Sequence, residues 1–425
     1  MKTCSILLPF LLFISCRPAE QTNQFGDSTA DNVIFGTELL TNLSPLFEYE
    51  IENERIAGAV TFIARNGDVV LEHAWGWQDV EEQKPLDTSH LFRIASMTKA
   101  ITSVAILQLY EDGTLTLEDP VENYIPEFSR PAVLTEFDEE TGSFETRPAS
   151  RSITIHDLLT HTSGIAYGFT NSTFSTIYGN AGVPDLGTEE NRTIEETMSI
   201  LGGLPLAHDP GEQFTYGLNT DVLGRVVEVA SGLSLNKYFR EMIFLPLGMN
   251  DTFFYNPERQ NDLVTLYTFR DGEFQLYPAE DYGLITPNFP VQGAMTYYSG
   301  GAGLTSTARD YAIFLQALLN GGELNGNSIL RTETWDLMRS NQIGDLWEEN
   351  KFGYGLLITT PEGEKDGLRP AGSLGWGGAF QTTYWIDTAN EMVVVMMTQV
   401  IPSPYRDELY EEFERTLYSS LSNLP

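Results

Sequence analysis

The sequence is poor in cysteine and histidine. Its 425 residues contain two cysteines, Cys4 and Cys16, both within the first 16 positions. The rest of the chain therefore has no disulfide and no thiol chemistry. It has five histidines, and the last of these is His208. An α/β-hydrolase would show a Gly-x-Ser-x-Gly sequence and a histidine late in the chain, and this sequence has neither.

Positive charge is also scarce. The chain has 24 basic residues, six of them lysines, against 60 acidic ones, which gives a formal net charge of −36. Such a balance offers no electrostatic footprint for nucleic acid and would repel anionic lipid. The content of hydrophobic residues, 41%, is that of a globular protein. We therefore expect a globular protein with a solvated acidic surface and no nucleic-acid partner.

Long apolar runs are missing as well. The N-terminal segment "MKTCSILLPFLLFISC" has a charged Lys2 followed by an apolar run over residues 6–14. That run is too short to span a bilayer, so we interpret residues 1–15 as a secretory signal peptide. We expect an exported protein, periplasmic or on the outer surface.

The end of this segment resembles a bacterial lipoprotein signal, in which the cysteine becomes the lipidated first residue. Cys16 would then carry the lipid, and membrane contact would be through that anchor alone. Phe13 departs from the leucine that is usual three positions earlier. Residues 16–33 are mostly polar and without periodicity, which suits a flexible tether.

The first part of the remaining chain predicts a hairpin and a helix. "AGAVTFIARNGDVVLEHAWG" is two β-rich runs joined by Asn66-Gly67, a strong turn signal. An apolar helix follows from about Ser96 to Glu111. Between about 115 and 340 the sequence alternates short helices with Gly/Pro turns.

The end of the chain predicts three strands and an amphipathic helix, namely "GYGLLIT", "FQTTYWID", "EMVVVMMTQV" and "YRDELYEEFERTLYSSL". Strands at both ends with helices between them indicate an α+β fold. We expect one antiparallel sheet, built from N- and C-terminal strands and flanked by helices. The domain would span residues 34–425, with sheet regions 34–115 and 340–425 and an inserted, mostly helical region over 116–339.

Lys99 is the residue that first suggests chemistry. It lies in the apolar stretch "FRIASMTKAITSVAILQL", where a solvated charge is hard to accommodate. Ser96 precedes it by three positions, so both side chains share one helix face. Burial favours the neutral amine of a lysine, which can accept the serine proton, and a serine in the first helical turn has its own N–H free to stabilise an oxyanion. The pair is a candidate activated nucleophile.

The same spacing occurs a second time, at Ser234 and Lys237. There the surrounding "SGLSLNKYFREMIF" is typical of an amphipathic helix capped by Ser234, with Lys237 on its wet side. The corresponding structural alternative for Ser96 is a capping serine beside a snorkelling lysine.

Several longer stretches resemble the serine β-lactamase and penicillin-binding-protein superfamily, in its class C-like branch. That branch includes esterases, D-aminopeptidases and transesterases. The matching stretches, in the family's order, are "LFRIASMTKAIT", "ITIHDLLTHTSGI", "PGEQFTYGLNTDVLGRVVEVASG", "GGAGLTSTARDYAIFLQALLNGG" and "GWGGAFQTTYWID". They extend over roughly residues 36–400.

The resemblance implies roles at the matching positions. Ser96 would be the acylated nucleophile, Lys99 its partner in proton transfer, and Tyr216 the tyrosine that acts with the lysine as base and later as acid. Trp376-Gly377-Gly378 stands where the family has Lys-Thr-Gly or His-Thr-Gly beside the substrate. The backbone N–H of Ala379 would complete the oxyanion hole with that of Ser96.

The second motif departs from the family. Tyr216-Gly217-Leu218-Asn219 is one residue longer than Tyr-x-Asn, so Asn219 is either a substrate contact or a polar residue at a turn or helix start. A literal Tyr-x-Asn occurs at Tyr178-Gly179-Asn180, in a setting that is typical of a loop.

The third motif bears on the substrate. A β-lactam or D-Ala-D-Ala peptide presents a carboxylate, which the cation and hydroxyl of Lys-Thr-Gly suit. Trp376 and Gly377 offer neither, so we expect an uncharged acyl ester and rank esterase above β-lactamase. In the alternative interpretation Trp376 is a packing aromatic and another residue, such as Arg369, supplies the charge.

These residues predict a serine hydrolase that acts on a small-molecule ester or amide through an acyl-enzyme on Ser96. The alternatives are a β-lactamase, a D,D-peptidase or D-aminopeptidase, and a catalytically silent module that binds peptidoglycan. We expect no cofactor and no metal: His156 and His161 fall on different helix faces without a nearby third ligand. His161 is interpreted as a structural residue. The sequence makes no prediction of oligomeric state.

Overall fold

The computed structural model describes residues 25–26, 29–278, 288–292, 295–347, 350–365 and 367–422. The predicted signal peptide and Cys16 lie outside these residues. The strands in chain order are β1 (Gly58–Arg65), β2 (Asp68–Asp79), β3 (Lys84–Pro85), β4 (Phe92–Arg93), β5 (Ala132–Phe137), β6 (Phe144–Pro148), β7 (Tyr267–Arg270), β8 (Glu273–Leu276), β9 (Thr305–Ser306), β10 (Glu323–Leu324), β11 (Asn327–Ser328), β12 (Lys351–Phe352), β13 (Leu357–Ile358), β14 (Leu374–Gly378), β15 (Thr382–Asp387) and β16 (Met392–Met397).

Eight of these strands form the main sheet, in the order β12-β13-β14-β15-β16-β1-β2-β3. The N- and C-terminal parts of the chain meet where β1 pairs antiparallel with β16, from Val60 opposite Met397 to Arg65 opposite Met392. The turn between β1 and β2 is the predicted Asn66-Gly67, and both residues have positive φ angles, 54° and 79°. The predicted α+β fold with a sheet made from both ends of the chain is confirmed.

The helices in chain order are α1 (Ala30–Glu52), α2 (Thr98–Glu111), α3 (Ile155–Leu159), α4 (Ser172–Ala181), α5 (Ile194–Leu201), α6 (Asn219–Ser231), α7 (Leu235–Phe239), α8 (Leu245–Leu247), α9 (Ala308–Leu319), α10 (Thr332–Met338) and α11 (Arg406–Ser422). A π-helical turn, Arg240–Phe244, joins α7 to α8. None of the helices within the described residues is both long and apolar enough to cross a bilayer.

Helices cover both faces of the sheet, and β16 shows why. Its six side chains are all buried. Met392, Val394 and Met396 join the core cluster beneath α1 and α11. The alternate residues, Val393 and Val395 among them, join the larger cluster that includes α2 and α9. A strand covered on both sides has no polar face, which explains the unbroken apolar run in the sequence.

Helix α2 is central in the larger core. Eleven of its fourteen residues are buried, so it is apolar on nearly every side. The segment that the sequence analysis placed in the helix from Ser96 begins instead with a 3₁₀ turn, Ala95–Met97, and the α-helix starts at Thr98. The junction between this 3₁₀ turn and α2 positions the candidate site.

The structure adds elements that the sequence analysis did not predict. Helix α1 begins at Ala30, inside the segment assigned to a flexible tether, and Phe25 of that segment is buried with its ring 5.0 Å from that of Phe62. The spacing of Phe35, Leu39, Leu43 and Phe47 was the available signal for this helix. The inserted region also carries the short hairpins β5-β6 and β7-β8.

Candidate active site

Ser96 lies in the 3₁₀ turn that leads into α2. Its side chain is almost buried, and the preceding residue, Ala95, has a φ of 41°. A non-glycine residue in this left-handed region is strained and persists only where its surroundings impose it. The hydroxyl of Tyr311 on α9 holds the turn by donating to the carbonyl oxygen of Met97 at 2.8 Å. The serine is therefore presented by a rigid, strained turn.

Lys99 is 2% exposed and has three hydrogen-bond acceptors around its amine. Nζ lies 3.3 Å from Oγ of Ser96, 2.9 Å from the hydroxyl of Tyr167 and 2.8 Å from the carbonyl oxygen of Gly301. A backbone carbonyl can only accept, so one N–H is always committed to Gly301. In the neutral amine, a second N–H to Tyr167 leaves the lone pair directed at Ser96. The surroundings of Lys99 are thus arranged for proton transfer with Ser96.

Tyr216 stands beside this pair, but its hydroxyl has a different partner. Its ring centroid lies 4.7 Å from Nζ of Lys99, while its hydroxyl oxygen accepts a hydrogen bond from Nε1 of Trp376 at 3.2 Å. The rings of Tyr216 and Trp376 are 5.4 Å apart. The predicted tyrosine and the predicted third-motif tryptophan are therefore brought together in one site with Lys99.

Tyr167 is a site residue that the sequence analysis missed. It follows "THTSGIA" in the segment after α3, and it is fully buried with its ring 5.3 Å from that of Tyr216. Burial, reinforced by the carboxyl group of Asp221, raises the pKa of its hydroxyl well above the usual range. Tyr167 therefore stays protonated and can donate as well as accept. The sequence signal that could have identified Tyr167 is its position two residues after "ITIHDLLTHTSGI", one of the stretches that match the family.

Strand β14 brings the third motif to Ser96. At Gly378 a side-chain carbon would lie 2.5 Å from the carbonyl oxygen of Ile94, two residues before the serine. Only glycine permits this approach, because no larger residue avoids the backbone. The next residue, Ala379, then lines the same pocket as Ser96. The oxyanion hole made of the N–H groups of Ser96 and Ala379 stays a prediction, which this shared lining permits.

The pocket above Ser96 has a volume of about 770 Å³. The apolar part of its lining includes Phe169, Leu186, Leu357 and Trp376. Gly377 and Gly378 also line it. The lining also includes the charged residues Arg369, Arg406 and Asp407. A pocket of this size is suited to a small organic molecule.

Arg369 also lines the pocket, yet its charge is engaged elsewhere. Its guanidinium forms a two-pronged ion pair with Glu414 on α11, with Nε donating to Oε2 at 3.0 Å and Nη2 donating to Oε1. It also lies over the ring of Trp385, 4.5 Å from its centroid. The alternative that Arg369 supplies a cation for a substrate carboxylate is therefore disfavoured, because Glu414 already neutralises it.

Asn219 lies outside the pocket. It is fully buried at the start of α6, where its Oδ1 accepts from Oγ of Ser163 at 2.5 Å and its Nδ2 donates to Nδ1 of His161 at 2.9 Å. A further contact of Nδ2 is the carbonyl oxygen of Ile165 at 3.3 Å. Asn219 is therefore structural and not a substrate contact, which was one of its two interpretations, because both ends of its amide are engaged by buried partners.

His161 shares this structural network. It is completely buried, with its ring centroid 4.9 Å from that of Tyr216. Burial, helped by the charge of Lys99, lowers its pKa well below the usual value, so the ring is neutral. Because the Asn219 amide donates to Nδ1, the ring proton is on Nε2. His161 therefore has a structural role beneath Tyr216 and does not transfer protons.

The other sequence candidates lie elsewhere. Ser234 caps α7 by accepting from the backbone N–H of Lys237 at 3.4 Å, and Lys237 is exposed beside Glu241, as the capping interpretation expected. Tyr178 is buried on α4, which is a helix and not the expected loop. His156 bonds the hydroxyl of Tyr354 through Nδ1. Within the described residues, no group of three histidine, cysteine or acidic side chains is placed to hold a metal ion.

Comparison with known proteins assigns the family. The sequence model of the beta-lactamase family, described simply as beta-lactamase, matches residues 43–413. The chain belongs to the beta-lactamase family. Esterase EstB of Burkholderia gladioli is 31% identical over 377 residues, which cover 85% of this chain and 90% of EstB. Lovastatin esterase of Penicillium rubens is 30% identical over 400 residues, covering 87% of this chain and 95% of that enzyme.

A solved structure agrees with this membership of the beta-lactamase family. EstCE1, described as a hydrolase with promiscuous acyltransferase activity, superposes with a TM-score of 0.76 at 27% identity, covering 91% of this chain and all of EstCE1. The resemblance read from the sequence motifs is confirmed, and the chain is a serine hydrolase of the beta-lactamase family, of the esterase and transesterase kind.

Proposed function

We propose that the protein cleaves carboxylic esters through an acyl-enzyme on Ser96 and passes the acyl group to water or to an acceptor alcohol. The contact of Lys99 with Ser96, 3.3 Å between Nζ and Oγ at the buried start of α2, is the observation that carries this proposal. EstB and lovastatin esterase support the ester substrate, and EstCE1 supports acyl transfer.

The proposed reaction begins with the neutral amine of Lys99. Nζ takes the proton of Ser96 as Oγ attacks the ester carbonyl carbon, and the carbonyl oxygen becomes negatively charged. The N–H groups of Ser96 and Ala379 stabilise that oxyanion. When the intermediate collapses, the bond to the leaving alkoxide breaks, and a proton delivered through Tyr216 converts it to the alcohol. In the second half of the reaction, water or an alcohol loses its proton through Tyr216 as its oxygen attacks the acyl carbon. The bond from that carbon to Oγ then breaks, and Ser96 regains its proton from Lys99.

The walls of the pocket support an uncharged acyl group. Trp376 takes the position where a cation would bind a carboxylate, and its indole N–H donates to Tyr216. The two arginines of the pocket lining are both paired, Arg369 with Glu414 and the more exposed Arg406 with its neighbour Asp407. Beside Trp376, the carboxylate of a β-lactam or D-Ala-D-Ala peptide would lack the cation that a Lys-Thr-Gly motif supplies, and burying a carboxylate without such a partner costs several kcal/mol. Ester cleavage is therefore ranked above β-lactamase or peptidase activity.

The test combines active-site labelling with turnover. Intact-mass spectrometry after treatment with a fluorophosphonate should give a single adduct on the wild type. The adduct should be absent from Ser96→Ala and retained in Ser234→Ala, which is the matched control with the same Ser-x-x-Lys spacing. A wild type that forms no adduct, or one indifferent to Ser96, would support the silent binding module instead.

Substrate preference is measured on the same protein. p-Nitrophenyl esters of short acyl chains should be hydrolysed at least 100-fold more efficiently, in kcat/KM, than the cephalosporin nitrocefin. The opposite preference would assign the protein to the β-lactamase branch. Adding an alcohol should divert part of the acyl group to a new ester, detectable by chromatography.

We further propose that the protein is exported and anchored through a lipid on Cys16. The support is the sequence alone: a short apolar run ending at a cysteine, followed by a polar segment. Expression in a bacterial host with radiolabelled palmitate should label the wild type and not Cys16→Ala. An unlabelled wild type in the soluble periplasmic fraction would retain export and refute the anchor.

A further inference from the structure

The three acceptors around Lys99 are all uncharged. They are the Ser96 hydroxyl, the Tyr167 hydroxyl and the Gly301 carbonyl. An ammonium buried among neutral groups is costly unless a negative charge lies near. A buried ammonium at this position therefore calls for a carboxylate close by, and none of the residues in the proposed mechanism supplies one.

Asp221 meets this description. It lies in the first turn of α6 and is 1% exposed. Its Oδ1 accepts from Oγ of Ser299 at 2.5 Å and from the backbone N–H of Gly301 at 3.2 Å. Gly301 is the same residue whose carbonyl oxygen accepts from Lys99. One peptide segment, 299–301, therefore connects the carboxylate to the lysine amine.

The second carboxylate oxygen approaches the site directly. Oδ2 of Asp221 is buried and has no hydrogen-bond partner among the described residues. A side-chain carbon at Gly301 would overlap Oδ2 and would lie 3.0 Å from the hydroxyl of Tyr167. Oδ2 of Asp221 and the hydroxyl oxygen of Tyr167 therefore lie on the same side of Gly301. The Tyr167 hydroxyl is itself 2.9 Å from Nζ of Lys99.

We propose that Asp221 is a positioning residue that supplies the buried counter-charge of Lys99 and sets the pH at which the amine becomes available to Ser96. The inference rests on the proposed function of Ser96 and Lys99. An anion near the amine holds the proton on it, and the segment 299–301 fixes Nζ within reach of Oγ. Asp221 touches neither the substrate nor the reacting atoms.

Several other titratable groups surround Asp221 and Lys99. Burial raises the pKa of Asp221 above its usual value, and the charge of Lys99 and the hydrogen bonds from Ser299 and Gly301 reduce that rise without reversing it. The remaining groups that face Asp221 or Lys99 are Tyr167, Tyr216, Tyr297 and His161. Asp185 also acts on Tyr167, and its carboxylate accepts from the backbone N–H groups of Gly168 and Phe169.

The test is the pH dependence of Ser96 labelling by a fluorophosphonate in Asp221→Asn. The amide can still accept from Ser299 and Gly301 but carries no charge. The acid limb of the rate profile should move to lower pH by about one unit or more, since the ammonium loses its counter-charge. A profile that keeps its position, whatever its height, would make Asp221 merely structural and overturn the proposal.

Asp310→Asn is the matched control. Asp310 is also buried in the first turn of a helix, α9, and its carboxylate likewise accepts from a backbone N–H, that of Asp251, and from a hydroxyl, that of Thr252. Its substitution should leave the acid limb in place. An equal shift in Asp310→Asn would attribute the effect to general destabilisation and refute the specific role of Asp221.

A second measurement covers an Asp221→Asn protein that folds but is too unstable or too inactive for labelling. Removing one member of a buried charge pair is more damaging than removing both. The double variant Lys99→Met with Asp221→Asn should therefore have a higher Tm than Asp221→Asn alone. A double variant that loses the sum of the two single losses would overturn the pairing. A wild type without Ser96 labelling would instead refute the proposed function, which keeps the two failures distinct.

Discussion

The amine nitrogen of Lys99 lies 2.9 Å from the hydroxyl oxygen of Tyr167, a residue 68 positions later in the sequence. Tyr216, the tyrosine expected from the motif, instead presents its ring to the amine and its hydroxyl to Trp376. Two tyrosines therefore flank one lysine, one bonded to the amine and one facing the pocket with Ser96. This arrangement separates the task of holding the lysine from that of transferring a proton to the substrate.

The first prediction compares these tyrosines. Tyr216→Phe should lower kcat/KM for p-nitrophenyl acetate by about 10²- to 10⁴-fold, because it removes a general acid and base. Tyr167→Phe should lower it by about 10- to 100-fold, because it removes one hydrogen bond to the amine, which becomes charged when it takes the proton of Ser96. Steady-state kinetics on both variants decides the matter. The reverse order would assign proton transfer to Tyr167.

The second prediction concerns the approach of β14 to the serine turn. In Gly378→Ala the new methyl group would meet the carbonyl oxygen of Ile94, so the strand must move away and carry Ala379 with it. Losing one oxyanion donor lowers kcat by about 10²- to 10³-fold. Gly179→Ala on α4 is the control, since nothing lies within 4 Å of the added carbon. A Gly378→Ala enzyme with unchanged kcat would refute an oxyanion hole at this place.

The third prediction tests the structural role of Asn219. Asn219→Ala leaves the Ser163 hydroxyl and Nδ1 of His161 without their partners in the core. Each orphaned polar group costs about 1–3 kcal/mol, so the Tm should fall by several degrees. Below the transition, KM for short esters should stay within about twofold of the wild type. An increased KM at unchanged Tm would restore Asn219 as a substrate contact.

The sequence predicted the part of this site that is formed by residues close together in the chain. It did not predict the part that is formed by residues far apart in the chain. Ser96 and Lys99 could be paired from spacing alone, because three residues make one helical turn. The Asn66-Gly67 hairpin and the strand "EMVVVMMTQV" were equally readable, since each depends on neighbouring residues. These predictions needed no knowledge of the tertiary structure.

Tyr167, Gly301 and Asp221 could not be placed in the same way. Gly301 contributes a backbone carbonyl, which has no signature in the sequence, from 202 positions after Lys99. Asp221 reads as an ordinary acidic residue in a first helical turn until its burial is known. The motif of Asn219 has one additional residue, but this does not show where the amide points. Its direction is decided by the packing of α6 against the segment after α3.

The fourth prediction is the acid sensitivity of the segment that carries His161 and Tyr167. Asp157 caps α3 and is buried. Burial opposes its ionisation, but hydrogen bonds from Arg151 and Thr154 outweigh this and lower its pKa. A lowered folded-state pKa contributes stability above the unfolded value of about 4, and that stability is lost as the pH falls through the folded value.

Asp157→Asn should therefore reduce the free energy of unfolding by about 1–3 kcal/mol at pH 7, and the difference from the wild type should shrink below pH 4. Urea titrations at several pH values measure both quantities. Glu411→Gln, at the exposed pair with Arg415, is the control and should cost less than about 0.5 kcal/mol. A deficit that stays constant down to pH 3 would show that the carboxylate charge is not the cause.

The fifth prediction concerns acyl-chain selection at the rim of the pocket. Phe169 is 44% exposed, lines the pocket and stacks on Tyr167 with ring centroids 4.7 Å apart. An extended hexanoyl chain would reach Phe169 at the rim, whereas an acetyl group is too short. Phe169→Ala should therefore raise KM for hexanoate esters and leave KM for acetate esters unchanged. The expected change in the hexanoate-to-acetate ratio of kcat/KM is about 10-fold, the value of one or two buried methylene groups. Phe144→Ala, at an equally exposed phenylalanine on β6 outside the pocket lining, is the control. An unchanged ratio would place the acyl chain along another wall, with Leu357 and Trp376 the next side chains to test.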